Sequence, residues 1–167
     1  TEVIKLEVNN NNGFESVNRK GEITLWGYND WSKKFNGGGT LKSNPNGRTG
    51  KCAEIKTGAG QRVYFYSSTL VKIKPGQDVV KISCFVKGKG TMQIQLYGYN
   101  DAKNVGGWDS SRVAVDAPEW KEIQFSIPLN GTGGGSTGIR IAPAFYENSD
   151  ILLDDMKIEI EHKAWEI

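Results

Sequence analysis

The chain has 167 residues, a formal net charge of +2 at pH 7 and 21 glycines, a length that fits one domain with a sizeable core. Both signs of charge are scattered along the chain and no basic run alternates with aromatic residues, which argues against a nucleic-acid partner. No apolar stretch approaches the roughly 20 residues that a membrane-spanning helix needs, so we expect no membrane partner.

Short apolar runs separated by Gly, Asn, Asp and Pro predict an all-β chain of about eight to ten strands without a helix. The strands predicted most clearly are 1–8, 52–57, 61–67, 79–87, 91–99, 120–128, 139–146 and 151–160. Two antiparallel sheets packed face to face, as in a jelly roll, are the expected architecture. We expect a single β-sandwich domain over residues 1–162, with residues 163–167 starting a linker or tail.

The segment 91–99 alternates strictly, which is typical of a strand with one face on a core. Its apolar side chains share one face, and Gln93, Gln95 and Tyr97 share the other. Two amides and a phenol offer uncharged donors and acceptors beside a flat ring, which suits a neutral polyol. The segment therefore predicts the floor of a sugar-binding groove, with an ordinary solvated face as the alternative.

Other predicted strands also carry polar or aromatic side chains on their outward faces. They are Tyr64, Tyr66, Gln124, Arg140 and Trp120. An indole outside the core needs a cover, and either a pyranose ring or a loop would cover Trp120. Trp26, Trp31 and Trp108 fall in predicted loops, where each either contacts a ligand or pins its own loop.

Carboxylates follow the first turn, at Glu15, and interrupt the last strand, at Asp154 and Asp155. Asp in an apolar strand is unfavourable without a partner. Because the first and last strands of a jelly roll often lie side by side, these acids are expected to approach each other. Calcium would satisfy them, as would a salt bridge to Lys or Arg. Asp154 shares the parity of Met156, so we expect it to point inward.

The two cysteines, Cys52 and Cys84, are not spaced as a metal site and form either one disulfide or two free thiols. The single histidine, His162, lies in a charged segment and is expected to be solvated.

An ordered set of short motifs resembles the carbohydrate-binding modules of families 4, 16 and 22, with family 16 the most similar. The motifs are Asn12-Gly13-Phe14-Glu15, a Trp about ten residues later, Gly50-Lys51-Cys52-Ala53, Lys74-Pro75-Gly76, Ser83–Gly88, Glu119-Trp120-Lys121 and Leu153–Ile158. The resemblance covers nearly the whole chain. It implies a galactose-binding-like β-jelly roll with a structural calcium, secreted and attached to a glycoside hydrolase.

The resemblance also implies roles for individual residues. Glu15, Asp154 or Asp155, and carbonyls near Lys51 would hold calcium, while Trp26 and Trp120 would sandwich a glycan that Gln93 and Gln95 hydrogen-bond. The function expected is therefore non-catalytic binding of a β-linked glucan or mannan by a monomeric module. The alternatives are a protein-interaction sandwich and a small glycosidase or lyase, for which Glu122 is the one acid placed on an outward face beside the amides.

Overall fold

A computed structural model describes residues 3–163, and the regular secondary structure of that part is antiparallel β-strand apart from one short helix. The eleven strands are β1 Val3–Val8, β2 Trp26–Tyr28, β3 Thr40–Asn44, β4 Cys52–Lys56, β5 Val63–Ser67, β6 Val71–Lys72, β7 Val79–Asn100, β8 Lys103–Asp109, β9 Val113–Pro128, β10 Gly138–Phe145 and β11 Asp150–Lys163. A short 3₁₀ helix, Asp30–Lys34, follows β2. Within residues 3–163 no helix has the length and hydrophobicity to cross a membrane.

Strand β7 runs for 22 residues where the sequence predicted two separate strands. The chain stays extended between them because the glycines there have no side chain to collide with the neighbouring segment. Gly88 and Gly90 have φ angles of 121° and 153°, and a Cβ at these positions would collide with the Asp150 carbonyl and the Ser149 hydroxyl. The glycines therefore let one strand serve two sheets.

The two halves of β7 pair with different partners and define two layers. The first half pairs with β11 and with the C-terminal half of β9, and β11 also pairs with β1 and β4; together with β3 these form the β11 layer. The second half pairs with β10 and β8, and β10 leads through β5 to β2; these form the β10 layer. All pairings are antiparallel, which confirms the expected β-sandwich of the jelly-roll class.

The apolar faces of both layers form one continuous core, as the alternation predicted. On β7 the inward positions include Ile82 and Val86 in the first half and Ile94 and Leu96 in the second, none more than 1% exposed. The opposite faces of the two layers therefore carry the polar and aromatic side chains.

Three smaller expectations have mixed outcomes. Cys52 and Cys84 are buried free thiols, and burial raises the pKa of Cys52 to about 11 and that of Cys84 to about 12. His162 is not solvated as expected: its Nδ1 lies 2.6 Å from Oδ1 of the buried Asp78. The predicted tail begins at Lys163, which still belongs to β11, and residues 164–167 lie outside the described part of the chain.

Candidate functional site

A groove of about 510 Å³ lies on the outer face of the β10 layer. Its centre is β10, where Ile139 and Ile141 face the core and the even-numbered residues of the strand face outward. The outward positions include Ala142, opposite Gln95 of β7, and Ala144, which lies opposite Gln93 on one side and Tyr64 of β5 on the other. Both alanines are fully buried, so the larger side chains of the neighbouring strands line the groove above them.

The groove-lining side chains are all uncharged. They are Asn29, Trp31, Tyr64, Tyr66, Gln95, Tyr97, Tyr99 and Asn104. Five aromatic rings provide stacking surfaces, and the three amides provide both hydrogen-bond donors and hydrogen-bond acceptors. This is the neutral chemistry that the strand 91–99 predicted, and Tyr64, Gln95 and Tyr97 lie where the sequence placed them.

Two tyrosine rings approach each other from the strands that flank β10. Tyr66 and Tyr97 have ring centroids 6.4 Å apart at an interplanar angle of 45°. Tyr66 lies against Gly27 of the neighbouring β2, where a Cβ would come within 2.8 Å of the ring. Glycine at this position therefore allows Tyr66 to lie across β2 and to form one wall of the groove.

Asn29 holds a second wall in place. Its side-chain oxygen accepts a hydrogen bond from the Trp31 backbone N–H at 3.0 Å and caps the 3₁₀ helix that carries the half-exposed Trp31. Its amide donates to the Tyr97 hydroxyl at 3.1 Å. Burial raises the pKa of Tyr97 to about 12, so the phenol keeps its proton at neutral pH and, with its oxygen already accepting, can donate that proton to a ligand.

The predicted role of Gln93 as a hydrogen-bonding residue for the glycan is wrong. Gln93 is only 9% exposed; its oxygen accepts a hydrogen bond from the Tyr146 hydroxyl, and its amide donates to the Ser110 carbonyl at 2.7 Å. Both ends of the side chain are thus engaged within the protein. Gln93 supports the end of the groove beside Tyr64 and does not reach a ligand.

Trp26 is a core residue, and its interpretation as one side of a glycan sandwich is wrong. It is 6% exposed and packs against Phe14 and Phe65 with centroid distances of 5.6 and 5.5 Å. Its indole N–H donates to the Asn11 carbonyl. Both faces of the ring are therefore covered by the protein's own aromatic side chains or core.

Trp108 and Arg140 lie near the groove without lining it. Trp108 pairs with the inward-facing Leu96, packs against the core and donates its indole N–H to the Asn130 carbonyl at 2.8 Å, so it pins a loop. Arg140 is opposite Tyr97 but donates to the backbone carbonyls of residues 67 and 68. It therefore braces the groove at the end where Tyr99 lies, 5.3 Å from its guanidinium carbon.

Trp120 lies on β9, whose C-terminal half belongs to the other layer, and it does not line the groove. It shares a strand face with Glu122 and Gln124, which border a depression of about 500 Å³ that also contains Lys81, Ser83, Lys157 and Glu159. Ion pairs join Lys81 to Glu161 and Lys157 to Glu159. The predicted trough that combined Gln95 with Trp120 is thus divided between two surfaces, and only one of them is uncharged.

The predicted calcium ligands gather around the loop between β3 and β4. Glu15 accepts the Lys51 N–H at 3.0 and 3.1 Å, and the fully buried Asp154 accepts the Thr49 N–H at 3.0 Å. Asp155 forms a salt bridge with Arg48 at 3.0 Å, so its charge is balanced without a metal ion. Within residues 3–163 no three His, Cys, Asp or Glu side chains are arranged to share a metal ion.

Two oxygen atoms of this region approach each other beside Gly47. Oδ2 of Asp154 and the Lys51 carbonyl oxygen lie 2.7 and 2.6 Å from where a Cβ at Gly47 would stand, so only glycine leaves that space open. Two oxygens of the kind that calcium prefers thus converge. Burial raises the pKa of Asp154, although the backbone N–H groups of Thr49 and Asp155 donate to its carboxylate and oppose that shift.

Asp154 does not point into the core, contrary to the expectation from its parity with Met156. It pairs with Phe85, whose neighbours on β7 face the core, so its side chain lies on the outer face of the β11 layer beneath the loop. A bulge between Asp154 and Lys157, with Asp155 at a φ of 47°, shifts the alternation by one residue. The acid is buried by the loop and not by the sandwich.

Sequence reasoning missed several groove residues. They are Asn29, Tyr99 and Asn104 as ligand contacts, and Tyr66, which was placed on the outward face without a role; for Trp31 the choice between ligand contact and loop anchor was left open. Tyr99 continues the alternation of Gln95 and Tyr97, and this signal was available. The segment 100–111 was predicted to be a loop, so nothing indicated that β8 would bring Asn104 beside the groove.

No family model and no curated protein matches the sequence, whereas many solved structures share its fold. A Stig cyclase from Fischerella sp. TAU is 8% identical with a TM-score of 0.67, over 95% of this chain and 99% of that one. The CBM22-1 xylan-binding domain of Xyn10C from Paenibacillus barcinonensis is 14% identical with a TM-score of 0.57, over 92% and 94% of the two chains.

The enzymatically active domain of tailspike protein 4 from bacteriophage CBA120 is 10% identical with a TM-score of 0.62, and this chain covers only 21% of it. These similarities establish the fold. Carbohydrate-binding modules and enzymes both occur among the structures that share the fold, and it does not single out family 16.

Proposed function

We propose that this chain is a non-catalytic module that binds a β-linked polysaccharide in the groove on the β10 layer. The observation that carries the proposal is the groove lining, which consists of five aromatic rings and three amides with no charged side chain. Sugar rings present C–H faces that stack on aromatic rings, and their hydroxyls exchange hydrogen bonds with amides and phenols. The fold is also that of a xylan-binding domain, which supports including xylan beside glucan and mannan.

The expected affinity is modest. Stacking on two rings and a few net hydrogen bonds, each contributing about 1 kcal/mol, are opposed by the cost of ordering the glycan. The balance corresponds to a site of roughly micromolar to millimolar Kd. Such a site is useful when it is tethered, because tethering raises the local concentration of substrate for an attached glycoside hydrolase. We accordingly propose a secreted, modular parent protein.

Affinity electrophoresis in gels that contain soluble glucan, mannan or xylan tests the proposal. We expect retardation on at least one polysaccharide, which Gln95→Ala and Trp31→Ala weaken. Gln124→Ala and Trp120→Ala remove the same kinds of side chain from the outer face of the β11 layer and serve as matched controls. No retardation on any polysaccharide would refute the proposal and favour a protein-interaction domain, for which the aromatic groove would be the interface.

The acids near the groove support the proposal of a non-catalytic module. Glycoside hydrolysis uses two carboxylates flanking the scissile bond. None of the groove-lining residues within the described part of the chain is acidic; Asp109 lies opposite Gln95 at the edge, and Glu122 is on the other layer. A reducing-sugar assay on whichever polysaccharide is bound should show no product above background. Product that Asp109→Asn abolishes would identify an enzyme.

We also propose a structural calcium ion at the loop between β3 and β4. Asp154 and the Lys51 carbonyl would hold it, with Glu15 reaching the same loop through the Lys51 N–H. When bound, the ion would supply positive charge to a buried carboxylate and tie the loop to β11. It would act on stability, since the groove lies on the other layer.

A further inference from the structure

We propose that the end of the groove beside Tyr64 recognises the carboxylate of an acidic sugar, a uronate, carried as a substituent on the bound polysaccharide. This inference rests on the proposed function. The groove lining is uncharged, but the side chains just beyond Tyr64 include Arg62 and Arg112. A neutral trough that ends in cations suits a neutral main chain with an anionic branch.

Both arginines lie over one buried aromatic ring. Tyr146 is 4% exposed and packs edge-on against Tyr64 with a centroid distance of 6.4 Å. The guanidinium carbon of Arg112 is 3.7 Å from the Tyr146 ring centroid, and that of Arg62 is 4.9 Å from it. Stacking restricts a planar cation while leaving its N–H groups at its edge for an anion.

Strand pairing places Arg112 at this end of the groove. The next residue, Val113, pairs with Met92 of β7, which brings Arg112 level with Gln93. Gln93 lies one step beyond Gln95 on the groove face, and its amide is held by the Ser110 carbonyl of the same connection. Arg112 therefore approaches the groove through backbone geometry and not through a flexible side chain alone.

The two arginines differ in the partners that their guanidinium groups already have within the protein. Arg62 is ion-paired with Glu147 at 3.3 Å and donates to the Tyr64 hydroxyl at 3.0 Å. Arg112 is exposed, and it forms no salt bridge with any carboxylate in residues 3–163. Arg112 is thus the cation that a ligand carboxylate would meet, through the paired N–H geometry that guanidinium offers.

Arg62 also sets the chemistry of Tyr64. Because the Tyr64 oxygen accepts from Arg62, its own proton is available to an acceptor on the ligand. At the edge of the groove Asp109 lies opposite Gln95, and its carboxylate would repel a second anion there. Donors and positive charge at the Tyr64 end and an acid at the edge beside Gln95 favour a single anionic branch and disfavour a main chain made of uronates.

The test compares acid-decorated polysaccharides with their carboxyl-reduced forms, which keep the shape and lose the charge. Glucuronoxylan supplies a xylan main chain, and xanthan supplies a β-glucan main chain with glucuronate in its branches. We expect at least one acidic form to bind about fivefold more tightly than its reduced form in low salt, the upper end for an exposed ion pair. Arg112→Gln should remove that preference, and about 0.5 M salt should reduce it.

Lys121→Gln removes an exposed cation from the other layer and is the matched control. Binding of the reduced polysaccharides by Arg112→Gln should be unchanged, which shows that the variant is folded. Equal binding of the acidic and the reduced form in every pair, or a preference for the acidic form that survives Arg112→Gln, would overturn the inference. In either case, binding of a neutral polysaccharide that Gln95→Ala weakens would leave the proposed function intact. If no polysaccharide, acidic or neutral, is bound, both proposals fail.

Discussion

Replacing Asn29 with aspartate separates two roles that this side chain combines. Its oxygen caps the 3₁₀ helix that carries Trp31, and its amide donates to the Tyr97 hydroxyl at 3.1 Å. Aspartate retains the cap, because Asn and Asp are nearly equal at this position. It cannot donate, so the Tyr97 proton must turn toward the new carboxylate and is lost to the ligand.

The two substitutions at this position have different expected magnitudes. Asn29→Asp should change the free energy of unfolding by only a few tenths of a kcal/mol, yet weaken glycan binding about fivefold, the equivalent of one hydrogen bond of ~1 kcal/mol. Asn29→Ala loses the cap and the hydrogen bond, about 1–2 kcal/mol of stability. That loss corresponds to roughly 3–6 °C in Tm for a chain of this size.

Urea unfolding gives the stabilities, and isothermal titration with the best oligosaccharide from the panel gives the affinities. Asn9→Asp makes the same charge change at an exposed position outside the groove and is the control. Tyr97→Phe should weaken binding to a similar extent as Asn29→Asp. If Asn29→Asp binds as tightly as the wild type, the assignment of Tyr97 as a donor to the ligand is refuted.

Three further predictions follow from the fold. Adding calcium to chelator-treated protein at 100 times its Kd should add about 2.7 kcal/mol of stability and raise Tm by roughly 5–10 °C. Asp154→Asn should abolish the shift, and an unchanged wild-type Tm would contradict the calcium site. Gly90→Ala should cost more stability in urea than Gly21→Ala, because a Cβ at Gly90 meets Ser149 whereas Gly21 faces open space; equal costs would contradict the packing argument. Stability should fall between about pH 10 and pH 12, because unfolded Tyr97 loses its proton near pH 10 while the folded pKa is about 12, and Tyr97→Phe should flatten that fall; an unaltered slope would count against the buried phenol.

The alternation of apolar residues was sufficient to predict the sandwich. Met92, Ile94 and Leu96 face the core as expected, and Gln95 and Tyr97 face the groove. Period-two alternation depends only on the local geometry of a strand, so it holds wherever the strand is regular. The predictions for the centre of β7 are reliable for that reason.

Predictions failed where the geometry is not local. Trp26 was assigned to the glycan site from the family resemblance, yet its environment is set by Phe14 and Phe65 from distant segments. The side of Asp154 was predicted from parity, which a bulge reverses. Trp120 and Gln95 both face away from the core, but parity does not tell which layer a strand joins. That assignment required the pairing of β9 with the first half of β7.

A crystal structure with a bound xylo- or cello-hexasaccharide tests the central claim most directly. We predict that sugar rings lie in the groove of the β10 layer against Tyr66 and Tyr97, with a ring hydroxyl hydrogen-bonded to Gln95. An oligosaccharide ordered instead on the β11 layer, beside Trp120 and Gln124, would contradict the assignment of the groove as the binding site.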